Sequence, residues 1–179
     1  MRTINILRTM AVAGAVLLAP SMLSAQSSKP VAFTVFGGAS VPTGDAGNSF
    51  NTGYTVGGAM DMRNSSMLGL RAEASYARMS IKVPGVSGNT SDMGGNLNAV
   101  LWTSSRPSSV SPYITGGASF AHYDFGAGAP TENHWGYNAG AGLDFAMGPI
   151  PARIDARYQA ISANGASFKT VPLTFGIRF

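Results

Sequence analysis

The last nine residues, Val171-Pro172-Leu173-Thr174-Phe175-Gly176-Ile177-Arg178-Phe179, place a large apolar side chain at every odd position and none at any even one. Successive side chains of a strand point to opposite faces, so one face of this segment suits lipid. The other face, with Thr170, Pro172, Thr174, Gly176 and Arg178, suits a polar interior. Such a segment fixes its own facing, because a slip of one residue exchanges the two sides.

The composition asks for the same solution throughout the chain. Charged residues make up 11% of the sequence, against about 25% in soluble domains. A lipid-embedded backbone finds no water to bond, so it must form spanning helices or a closed sheet. The one helix-like apolar run, Met10 to Pro20, follows Arg2 and Arg8 and leads through a Ser-Met-Leu-Ser-Ala stretch to Gln26. It is shorter than the roughly 20 residues a spanning helix needs, and reads as a secretory signal peptide covering residues 1–25, cut after Ala25. Residues 26–179 then form one domain, with 10 basic against 8 acidic side chains. The absence of cysteine removes any disulfide staple. Basic residues are scattered singly, so nothing selects a nucleic acid as partner, and no cofactor-binding motif stands out.

Alternation predicts eight strands, at about 32–41, 54–62, 67–78, 93–103, 112–121, 135–146, 152–160 and 168–179. Their lengths suit tilted membrane-spanning strands, for which about 9–11 residues suffice. The connections 42–53, 79–92, 122–134 and 161–167 form one set, and 63–66, 104–111 and 147–151 the other. The first set is expected outside the cell and the second in the periplasm. Strands four and five have no clear facing, since Trp102 shares a face with Asn96 and Asn98, and Tyr113 with Thr115 and Ser119. Aromatics gather at strand ends: Tyr54, Tyr76, Phe120, Trp135, Tyr137 and Tyr158 toward one end, Phe33 and Phe145 with Phe179 toward the other. Two interfacial belts are the expected arrangement.

The lumen faces of these strands carry Arg71, Arg153, Arg157 and Arg178 against Asp61, Glu73, Asp144 and Asp155. An eight-stranded barrel is just wide enough for side chains to fill, and an unpaired charge there would cost several kcal/mol. The eight groups are therefore expected to interlock as a plug, with Asp144 and Arg153 meeting across the 147–151 turn. A path for ions or protons through the same charges is the alternative. A catalytic set could be drawn only from Ser119, His122, Asp124, Glu132 and His134, and no His-x-Ser pair supports it. The two histidines with Asp124 and Glu132 also match no specific metal-ligand spacing.

Leu173, Phe175, Ile177 and Phe179, with the strand parity and the leader, resemble the small eight-stranded outer-membrane barrels of the OmpA-like and OmpX-like kind. The resemblance implies an all-β, antiparallel up-and-down barrel in the bacterial outer membrane, among phospholipid and lipopolysaccharide. It also implies that those four residues form an assembly signal read by the barrel-assembly machinery. No peptidoglycan-binding domain follows strand eight in this reading. A structural or surface-interaction barrel is then the leading role, ahead of a small-solute pore or a lipid-active barrel such as a lipid A-modifying enzyme. A soluble lipocalin-like barrel would invert the facing and place the apolar side within. Deleting Phe179 is expected to lower the amount of protein recovered in the outer membrane; equal recovery on fractionation would refute the terminal signal.

Overall fold

A computed structural model describes residues 31–63, 67–82, 84–85, 88–103, 109–124, 132–163 and 166–179; the expected signal peptide lies outside them. Eight strands follow one another: β1 (Val31–Thr43), β2 (Gly53–Arg63), β3 (Leu68–Ser80), β4 (Asn89–Trp102), β5 (Val110–Asp124), β6 (Glu132–Met147), β7 (Ile150–Ala163) and β8 (Ala166–Arg178). Each pairs antiparallel with its sequence neighbours, and β8 pairs with β1, so the sheet closes. β1 begins and β8 ends at the same end of the barrel, here the terminal end; the opposite one is the loop end.

The register fixes the stagger. Following paired residues from Phe33 through Met60, Ala72, Leu97, Ala118, Tyr137, Ala160 and Lys169 returns to β1 at Thr43, ten residues from the start. With a rise of about 3.3 Å per residue and about 4.8 Å between strands, this corresponds to a strand tilt of about 40°.

Facing follows the alternation. On β3, Leu68, Leu70 and Ala74 are exposed while Arg71, Glu73 and Ala77 are buried. On β7, Ile154, Ala156 and Tyr158 are exposed while Arg153, Asp155 and Arg157 are buried. The apolar side is thus outside, the reverse of a lipocalin-like barrel. β4 and β5 take a definite facing too: Met93, Leu97 and Leu101 point out, as does Ile114, while Trp102 and Tyr113 are buried in the lumen. Eight of the nine aromatics expected in the belts, all but Phe179, lie on strands at outward positions, with Tyr54 beside Tyr76 at 6.4 Å and Phe120 beside Trp135 at 5.1 Å between ring centres.

Strand ends depart from the expected boundaries. β7 and β8 continue to the pair Ala163 and Ala166, so the connection expected at 161–167 shrinks to 164–165. The turn expected at 147–151 is only Gly148-Pro149, with Gly148 in the left-handed region at φ 63°. Beyond the bilayer an outward side chain no longer has to be apolar, so the pattern fades before the ladder stops. The connection expected at 42–53 also holds a one-turn helix, α1 (Asp45–Ser49). The two-solvent wall predicts that Ala156→Arg, at an exposed mid-strand position, costs about 2–4 kcal/mol of folding free energy in lipid vesicles. Gln159→Ser, on the lumen side, should cost less than about 1 kcal/mol; equal costs would contradict the facing of β7.

Candidate functional site

The inward positions assemble into one polar column. All eight expected lumen charges are in it, and they join as a single chain in which acid and base alternate. Arg178 Nη1 lies 3.2 Å from Asp144 Oδ2, and Arg153 grips Asp144 through Nε at 2.6 Å and Nη2 at 3.1 Å. Arg153 Nη1 continues to Asp61 at 2.8 Å, whose other oxygen accepts from Arg71 Nε at 2.6 Å. Arg71 Nη1 stands 3.5 Å from Asp155, Asp155 accepts from Arg157 Nε at 2.5 Å, and Arg157 holds Glu73 through both terminal nitrogens. Asp144 and Arg153 are direct cross-strand partners in the register, which gives the expected contact across the short turn. Two of the links are two-pronged, Arg153 to Asp144 and Arg157 to Glu73, and the charge on both partners makes such bonds about twice as strong as neutral ones.

Two aromatics complete the column. The Tyr113 ring lies against two like charges, 4.7 Å from the Arg71 guanidinium and 5.2 Å from that of Arg153. Its hydroxyl donates to Asp155 at 2.5 Å and accepts from Arg71 at 3.3 Å. The ring face offers negative density to both cations and so attracts each. Trp102 Nε1 donates to Asp144 at 3.0 Å. In the sequence their shared face with Asn, Thr and Ser left the facing of both strands open; the structure sets that face inward. β6 makes room for these groups. A Cβ on Gly142 would lie 2.3 Å from the Tyr113 hydroxyl, and one on Gly140 would lie 2.3 Å from Cγ of Arg157.

Two further charges have inward positions that sequence reasoning missed. Arg63, at the end of β2, stacks over Trp102 at 4.5 Å, and Asp92 stands near the start of β4. Both sit one residue beyond the expected strand limits. By register Arg63, Arg178, Arg153 and Arg71 accompany Asp144 and Asp61 toward the terminal end, whereas Arg157 accompanies Asp155, Glu73 and Asp92 toward the loop end.

Above the chain of eight charges lies an amide layer in which Ser119 Oγ donates to Asn96 at 2.7 Å and Asn138 Nδ2 donates to Ser119 at 2.9 Å. Beyond it Ala121 and Ile161 form an apolar cluster with Phe168, against whose ring Phe50 packs edge-on at 5.4 Å. Backbone bonds from Asn51 to Ser80 and from Lys82 to Ser49 tie the α1 segment to the β3–β4 connection. Between cluster and charges a cavity of about 40 Å³ is bordered by Glu73, Asp92, Asn96 and Arg157, room for a few waters.

Among the described residues the catalytic candidates divide between the two faces of the wall. Ser119 is fully buried and faces inward, whereas His122 lies on the outward face of β5 and meets Asn133 at 2.7 Å. His134 has an inward position on β6, and the side chains of Asp124 and Glu132 lie outside the described residues. No group of potential metal ligands occurs among the described residues.

A family model described as outer membrane protein beta-barrel domain matches residues 11–179. The chain belongs to that family. This outer-membrane barrel is also similar in fold to solved structures. Neisserial surface protein A shares 16% identity at a TM-score of 0.63, with 86% of this chain and 98% of that one covered. OprG from Pseudomonas aeruginosa shares 14% at 0.55, with 87% and 99% covered. The attachment invasion locus protein Ail of Yersinia pestis shares 18% at 0.51, with 83% and 97% covered. No curated protein sequence matches the chain.

The chain of charges makes a quantitative prediction. Asp144→Arg and Arg153→Asp should each cost about 3–5 kcal/mol, since each leaves a buried charge uncompensated. The double reversal should recover only part of the loss, because the reversed group at 153 then faces Asp61 and that at 144 faces Arg178. Urea unfolding of the four proteins in lipid vesicles measures the coupling; strict additivity would refute the pairing.

Proposed function

We propose that this outer-membrane barrel serves a structural or surface-interaction role and that its paired charges close the lumen. The observation carrying this reading is the unbroken chain from Arg178 to Glu73, which leaves none of the eight groups seeking a solute as a counter-charge. The apolar cluster around Phe168 supports it from the loop end, where an ion would lose hydration on entry. Separation of Ser119 from His122 on opposite faces of β5 favours a non-catalytic role.

In this reading the terminal end faces the periplasm and the loop end the cell exterior. Export uses the leader at residues 1–25. The outward positions of Leu173, Phe175 and Ile177, with Phe179, are offered to the assembly machinery, and phospholipid and lipopolysaccharide surround the finished wall. Recording from the purified full chain in planar bilayers tests the closure. Little or no conductance is expected, with Arg71→Gln, Arg153→Gln and Arg178→Gln together raising it. A large, stable conductance from the unmodified protein would overturn the closed lumen and support a small-solute pore.

A further inference from the structure

The cations outside the lumen are not evenly placed. Among the described residues they are Arg78, Lys82 and Lys169. Arg78 is exposed on the lipid-facing side of β3, directly paired with Tyr54 and two residues beyond Tyr76. Lys169 takes the corresponding lipid-facing position on β8, paired with Thr43 of β1. The exposed Lys82 follows β3 at the same end. Allowing for the ten-residue stagger, Arg78 and Lys169 lie at closely similar heights, just outside the aromatic belt. Their strands are three intervals apart, and the ladder from Arg78 reaches β8 at Leu173, four residues from Lys169, so the two positions lie about 20 Å apart along the wall.

On the far side of the barrel the matching outward positions are neutral in kind: Ser91 on β4, Asn133 on β6 and Ser162 on β7, with His122 on β5 bonded to Asn133. No ion pair links Arg78, Lys82 or Lys169 to a carboxylate among the described residues. An outward-pointing cation immediately beyond a belt of Tyr and Trp is held at headgroup depth, where its stem stays in the apolar layer and its head meets the polar one. The charge there can be satisfied by lipid phosphate, and favourable attraction to an anionic surface is about tenfold or less per basic residue.

We propose that the β8–β1–β2–β3 side of the loop-end rim binds phosphate groups carried by lipids of the outer leaflet, with Arg78 and Lys169 as its principal contacts and Lys82 as a third. Tyr54, between the two principal strands on the same face, supplies the apolar floor for the adjoining acyl chain. The inference rests on the outward facing and loop-end topology of the proposed function, and not on the closure of the lumen.

The test uses the full chain in a neutral detergent, titrated with bis-phosphorylated lipid A, with the same lipid lacking its phosphates, and with inorganic phosphate. Bound lipid is read by native mass spectrometry. Phosphorylated lipid A should bind preferentially, and Arg78→Gln with Lys169→Gln should weaken it about tenfold or more, while His122→Gln with Ser162→Gln on the far side should not. Equal binding of the two lipids, or unchanged affinity in the Arg78/Lys169 double variant, would overturn the proposal. Displacement of the lipid by inorganic phosphate at comparable concentration would also overturn it, assigning the rim to free anions. Conductance measured on the same samples separates the two readings: loss of lipid preference in a silent barrel refutes the rim alone, and a conducting wild type refutes the closed lumen alone.

Discussion

A peptide group in hydrocarbon has no water to bond, and this barrel is organised around satisfying it. Eight antiparallel strands pair in sequence order and β8 returns to β1, so the sheet has no open edge along its wall. Closure has a second consequence, because it turns the inward half of every strand into a narrow interior. The period of two that makes one face acceptable to lipid delivers Arg, Asp, Asn and Thr to the other. Those side chains must then satisfy each other in a space that admits little water.

The interior solves this by alternation in space as well as in sequence. Each internal member of the chain from Arg178 to Glu73 lies between groups of opposite sign, and the Tyr113 ring lies against the guanidiniums of Arg71 and Arg153. Buried ion pairs of this kind contribute little net stability relative to a well-packed apolar core, since desolvation offsets most of the attraction. Their effect here is on register. A slip of β7 by one residue would carry Arg153, Asp155 and Arg157 into lipid and bring Ile154 and Tyr158 into the polar column, so the charges penalise the wrong pairing far more than they favour the right one. The bulky partners fit because β6 presents Gly140 and Gly142 to them.

Strand number, order and the facing of β3, β6, β7 and β8 were legible because lipid enforces a strict contrast between their two sides. β4 and β5 were not, since Trp102 and Tyr113 are apolar in bulk but carry an N–H and an O–H that the lumen uses. Arg63 and Asp92 escaped for a different reason: at the strand ends both faces can be polar, and the alternation that marks a boundary disappears before the backbone pairing does. The same loss of contrast concealed the extension of β7 and β8 to Ala163 and Ala166. The eight linked charges could be read from sequence parity, but the order of their links could not. That order depends on the ten-residue stagger, which brings Arg153 of β7 to Asp61 of β2 across the lumen.

Among the described residues the lumen charges are balanced in number but not in position. Four guanidiniums stand with two carboxylates toward the terminal end, and one guanidinium stands with three carboxylates toward the loop end. The barrel interior is therefore a fixed dipole lying along the membrane normal, with its positive pole at the mouth where the strands begin and finish. A small ion that works its way between these groups meets an ascending potential in one direction and a descending one in the other. That dipole would favour one sense of passage over the other, and the covalent chain sets which.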